Sequence, residues 1–121
     1  MKILEKEFSL KELLEFTADA SNDVKIYNSC FTKQASLDYL LNEKVNEFNP
    51  IVEFYAEGGT YTSAIYSWDS KDHPISLSKL REFFRDHPQC ADYPIEYDFE
   101  DGYIFRIYST AILTDDYLVL L

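Results

Sequence analysis

Residues 51–68 read Ile51-Val52-Glu53-Phe54-Tyr55-Ala56-Glu57-Gly58-Gly59-Thr60-Tyr61-Thr62-Ser63-Ala64-Ile65-Tyr66-Ser67-Trp68. Two runs rich in aromatic and β-branched residues flank a glycine pair, the pattern of strand, turn and strand. Both glycines accept positive φ, so a two-residue hairpin turn is predicted at Gly58-Gly59. That register pairs Ala56 with Tyr61, Phe54 with Ser63 and Val52 with Ile65, which makes one face mostly apolar. The other face sets Glu57, Tyr55 and Glu53 against Thr60, Thr62 and Ala64, a mixture suited to water.

A second hairpin lies downstream. Ile95 to Phe99 and Tyr103 to Ser109 flank Glu100-Asp101-Gly102. A three-residue loop ending in Gly suits a bulged turn, which stacks Ile95 on Ile107 and sets Glu96 across from Arg106. Between the hairpins, Ser76 is placed to cap a helix with the buried stripe Leu77, Leu80, Phe83 and Phe84, ending before Pro88. Upstream, Ser9 and Glu12 form a capping box, with Phe8 and Leu13 as its hydrophobic staple. The stripe Leu10, Leu13, Leu14 and Ala18 carries that helix to Asn22-Asp23. Val24 to Tyr27 reads as a strand. Ser36 then caps a helix with the stripe Leu37, Leu40, Leu41, Val45 and Phe48, stopped by Asn49-Pro50. Asp115-Asp116 marks a turn, and Tyr117 to Leu121 reads as a last strand in the core. The expected architecture is one α+β domain over residues 1–121. It is an antiparallel sheet of about four to six strands with about three helices packed on one face.

The composition supports a folded chain. Of 121 residues, 46% are hydrophobic and 17% aromatic, against only 3 Gly and 4 Pro, the reverse of a disordered composition. The net charge of -11 therefore belongs to a folded surface. Direct nucleic-acid binding needs positive charge to neutralise phosphates, and no run of Lys or Arg supplies it. An anionic membrane surface would repel the chain. A basic protein would attract it and associate faster for the attraction. The charged start Lys2-Ile3-Leu4-Glu5-Lys6-Glu7 breaks any secretory signal, and two cysteines without metal or redox spacing fit a cytoplasmic protein with reduced thiols.

No catalytic, cofactor or metal motif emerges. Gly58-Gly59 leads into a strand, not a phosphate-binding helix. Asp72-His73-Pro74 and Asp86-His87-Pro88 repeat one tripeptide on either side of the third helix. Each sets an imidazole beside a carboxylate, but Asp-His-Pro is also an ordinary loop-and-stop sequence. A nucleophilic Cys30 or Cys90 would need a nearby base; Cys90 lies three residues after His87, which alone is weak, and a buried inert cysteine is the expectation. The expectation is a non-enzyme without cofactor.

What remains is acid interleaved with tyrosine. Asp92, Tyr93, Glu96, Tyr97, Asp98, Glu100, Asp101 and Tyr103 fall within twelve residues, and residues 91–121 carry 7 acids against 1 base. On an extended strand Glu96, Asp98 and Glu100 share a face at ~7 Å spacing, about half the axial charge density of a DNA strand. The bulged register turns Tyr97 and Tyr103 toward the core. The expected partner-binding residues are Asp92, Tyr93, Glu96, Asp98, Glu100, Asp101, Asp115 and Asp116. Glu12, Glu15 and Asp19 thicken the field if the fold brings them near.

In size, acidity and this acid–tyrosine segment the chain resembles the small acidic inhibitors of phages and mobile elements, of the anti-CRISPR and anti-restriction type. The resemblance implies a non-catalytic protein that occupies the nucleic-acid-binding surface of a defence nuclease, with nucleic-acid mimicry as its mode. It carries no shared fold and no residue roles. The chain is similar, by the same features, to immunity proteins and antitoxins that neutralise nuclease toxins. A small enzyme built on His73, His87 or Cys90 is the third class.

Overall fold

The computed structural model describes residues 1–58, 63–69, 73–98 and 105–121, with side chains over 1–56, 73–98 and 106–121. The elements are β1 (Lys2–Leu4), α1 (Leu10–Phe16), β2 (Lys25–Asn28), α2 (Lys33–Leu41), β3 (Asn49–Gly58), β4 (Ser63–Asp69), α3 (Leu77–Asp86), β5 (Ile95–Asp98), β6 (Phe105–Ile107), β7 (Ala111–Leu113) and β8 (Tyr117–Leu120). The α+β class is as the sequence predicts, and the described residues hold three α-helices, matching the expected number of about three.

Local chemistry sets the helix ends. The Ser9 hydroxyl accepts from the Glu12 amide at 3.2 Å, and the Glu12 carboxylate accepts from the Ser9 amide at 3.1 Å. Phe8 and Leu13 are both buried in one core cluster, as the staple requires. Ser9→Ala removes the acceptor for an otherwise orphaned amide and should lower stability by about 1 kcal/mol, measured as a reduced urea midpoint with an unchanged slope. The helix stops at Thr17, short of Asn22-Asp23, because other donors satisfy its last carbonyls. Thr17 Oγ1 donates to the Leu13 carbonyl at 2.9 Å, and Arg81 Nη2 donates to the Thr17 and Ala20 carbonyls at 2.8 Å each.

The cap of α2 is Thr32, not Ser36. Thr32 Oγ1 accepts from the Ala35 amide at 3.2 Å. Ser36 is instead buried inside the helix, its hydroxyl donating to the Thr32 carbonyl at 2.8 Å and lying 2.7 Å from Ser29 Oγ. Residue type alone favours Ser over Thr as a cap, and here the burial of Ser36 against Ser29 overrides that preference. Glu43, at φ 55°, turns the chain out of the helix in the left-handed region. Val45 therefore sits in a 3-10 turn (Val45–Glu47) and Phe48 follows it, rather than both extending α2.

The sheet is mixed, where the sequence suggested antiparallel pairing. Its order is β1-β7-β8-β2-β3-β4-β5-β6. β8 lies parallel to β2, with Ile26 beside Leu118, and β5 lies parallel to β4, with Ile65 beside Ile95. The second parallel pair follows from α3, which carries the chain across from β4 to β5 as a crossover must. Among the described residues the sheet has eight strands, where the sequence suggested four to six.

The first hairpin forms, but in another register. Ala56 pairs with Ile65, Phe54 with Ser67 and Gly58 with Ser63, so Gly58 belongs to the paired strand, while Gly59 of the expected turn lies outside the described residues. This register puts Ala56, Ile65 and Ile95 in one row across three strands. The isolated hairpin carries no record of that third strand. A β-bulge between Ile51 and Glu53 keeps Ile51 and Phe54 both buried.

Helices cover both faces, not one. Leu118 and Leu120 pack with Leu10, Leu13, Leu77 and Leu80 of α1 and α3. Val119 and Leu121 pack with Phe48 and with Leu37, Tyr39 and Leu40 of α2. A strand buried on both faces reads as a continuous apolar run, and Tyr117 to Leu121 is such a run. That segment is therefore core, as expected.

The connection from β6 to β7 shows that the sheet coils. Tyr108 to Thr110 spans at most roughly 14 Å, whereas six strand positions in a flat sheet would be roughly 29 Å. Tyr108 sits at this corner, fully buried, its amide donating to the Ile95 carbonyl at 3.0 Å and its hydroxyl to Asn28 Oδ1 at 2.8 Å.

Candidate functional site

β5 presents alternating faces. Ile95 and Tyr97 are buried, while Glu96 and Asp98 lie half-buried on the opposite side. Glu96 pairs with Ile107, Tyr97 with Arg106 and Asp98 with Phe105. Glu96 is thus not across from Arg106. The one-residue slip places Tyr108 beside Ile95 and buries its ring, which the bulged register does not do. Arg106 reaches out instead, its Nη2 3.4 Å from the Ser29 carbonyl. Tyr97 stacks near Tyr108 inside the core, with ring centroids 6.3 Å apart, so Tyr97 faces inward as predicted.

Two residues of β3 join Glu96 and Asp98. Tyr55 shares a row with Tyr66 of β4 and Glu96 of β5, and its hydroxyl donates to Asp98 Oδ2 at 2.9 Å. Glu53, two residues along the same strand, is exposed. Neither apolar cluster includes Tyr55 or Ile107, the uncharged residues beside these carboxylates, so among the described residues neither apolar core extends over this face. Partial burial pushes the Glu96 carboxyl above its ordinary value. The sequence shows Glu53 and Tyr55 on the wet side of the first hairpin. It has no local signal linking them to Glu96 and Asp98, because the link is the parallel β4–β5 pairing.

The other expected contact residues fall elsewhere. Asp92 is exposed after the 3-10 turn Pro88–Cys90. Tyr93 packs against the core, and its carbonyl accepts from the Leu10 amide at 3.0 Å, a structural position at the start of α1. Asp115 and Asp116 are exposed in the β7–β8 turn. Asp115 lines a depression of about 330 Å³ with Asp19, Lys2 and Phe16, so Asp19 does meet one of them. Lys2 tempers that site, its ammonium 3.0 Å from the Phe16 carbonyl and 5.0 Å above the Phe16 ring. Glu12 is engaged by Lys6, which holds its carboxyl below the usual range. Glu100, Asp101 and Tyr103 lie outside the described residues. Among the described residues the ion pairs are Lys6–Glu12, Lys33–Glu5, Lys79–Glu82 and Arg85–Asp86. None of these involves Asp92, Asp115 or Asp116.

The residues considered for catalysis are separate. Cys90 is buried, which pushes its thiol up and away from the reactive thiolate. Cys30 is exposed, and neither cysteine forms a disulfide. His73 is exposed before α3. His87 stacks on Phe83 at 4.6 Å, with Nδ1 3.1 Å from the Phe83 carbonyl, and lines an open groove without Cys90 or His73. Among the described residues, no three His, Cys, Asp or Glu side chains are arranged to hold a metal, and no helix is long and apolar enough to cross a membrane. No protein-family model matches this chain, and comparisons with curated proteins and with solved structures return no match.

Proposed function

We propose that the protein is a non-catalytic acidic inhibitor that docks on a basic, nucleic-acid-binding protein through the outer face of β3–β5. The reading is supported by one observation: Glu53, Tyr55, Glu96 and Asp98 share the sheet face opposite buried Ile95 and Tyr97. Carboxylates two residues apart on a strand lie ~7 Å apart, a spacing that a cationic groove built for phosphates can meet. The Tyr55 hydroxyl fixes the Asp98 carboxylate, so the charge is presented in a set geometry. Tyrosine adds apolar contact area with little entropy to lose on binding. The net charge of -11 steers approach from a distance. In this reading the protein works in the cytoplasm, as an anti-CRISPR or anti-restriction protein does. An immunity protein would use the same face against a nuclease toxin.

The experiment is affinity capture with the immobilised protein at 0.05 and 0.5 M NaCl, with double-stranded DNA as competitor. The expected result is retention of nucleic-acid-binding proteins at low salt, with release by DNA and by high salt. Retention indifferent to both would rule out a charge-led docking face.

A further inference from the structure

Where β3 meets the C-terminal end of α3 there is an open groove of about 290 Å³. Val52, Phe54, Ile75 and Phe83 give it an apolar lining, and Glu53, Lys79, Glu82, Asp86 and His87 give it a polar one. Three features of the groove favour a cation. Carboxylates outnumber the ammonium group, and Lys79 is already 3.6 Å from Glu82. The groove adjoins the last turn of α3, where the helix dipole places partial negative charge. Phe83 and His87, stacked at 4.6 Å and 21° between planes, set a flat aromatic pair at its wall.

We infer that this groove is the anchor subsite of the docking face and takes a single arginine side chain of the basic partner. The inference rests on the proposed function, because Glu53 belongs to both the groove and the outer face. At about 290 Å³ the groove stands at the bottom of the range for ligand pockets, so it suits one side chain. Arginine fits where lysine does not. Its guanidinium is planar and weakly hydrated, stacks on aromatic rings and forks onto carboxylates, while its methylene stem covers apolar surface. A lysine ammonium keeps its water more tightly and gains little from Phe83 and His87.

The test compares tetra-arginine and tetra-lysine peptides as probes, by calorimetric titration of the full chain at 0.05 M NaCl. Wild-type protein should bind the arginine peptide about tenfold more tightly. Glu82→Gln/Asp86→Asn changes only side chains on the α3 surface and should reduce that preference to about twofold. His87→Ala, a second variant outside the core, should do the same by removing half of the stacking pair. Equal binding of the two peptides, or an arginine preference that survives both variants, would overturn the groove assignment and leave the outer face standing. No binding of either peptide would overturn both.

Discussion

Leu118→Ala is expected to destabilise the protein by about 3 kcal/mol and to lower its melting temperature by about 10 °C. Leu118 is fully buried, lies beside Ile26 of β2 and Leu113 of β7, and packs in the cluster that joins α1 and α3. Deleting its methine and two methyl carbons removes their transfer free energy. It also leaves a hole that β8 cannot close, because Val119 anchors the strand to α2 on the other face. Leu41→Ala is the control. Leu41 belongs to α2 but is 72% exposed, so its truncation should stay within about 0.5 kcal/mol of wild type. Urea melts of both variants at one temperature decide the matter. A Leu118→Ala cost below about 1 kcal/mol would mean that β8 is not the centre of a two-sided core.

The contrast between these two leucines shows which parts of the fold a sequence exposes. Ser9 and Glu12 are legible because a capping box is local, with both hydrogen bonds closing within three residues. The α3 stripe is legible for the same reason. The two-sidedness of the sheet is written in Tyr117-Leu118-Val119-Leu120-Leu121, but a run of apolar residues does not say which helix lies on which side. Register is the least local feature of the fold. The first hairpin slides four positions to align Ala56, Ile65 and Ile95, and the second slips by one to bury Tyr108. Both choices are made by contacts distant along the chain, Tyr108 with Asn28 above all. The candidate face inherits this pattern. Glu96 and Asp98 read from the sequence as a local acidic row. Glu53 and Tyr55 join them only through β4, a strand shared by an antiparallel and a parallel pairing.

Glu53→Lys combined with Glu96→Gln and Asp98→Asn should slow association with the basic partner by about tenfold to a hundredfold at low salt. The loss should shrink as ionic strength rises and the Debye length falls from about 30 Å at 0.01 M toward about 8 Å at 0.15 M. The substitutions are chosen so that folding is not the cause. Glu53 is exposed, and asparagine at 98 can still accept from the Tyr55 hydroxyl, which donates 2.9 Å away. Glu96 is raised above its ordinary value by burial, so its ionised form is the one the fold disfavours. The sign follows from linkage. Between the ordinary carboxyl value and the raised one the folded state holds the extra proton, so this group lowers stability as pH rises through that window. Glutamine carries no such penalty, and the variant should be no less stable at neutral pH than wild type on this account. Stopped-flow association at several salt concentrations, beside a urea melt of the same preparation, separates the two effects. An unchanged association rate in a folded variant would clear this face of any part in recognition.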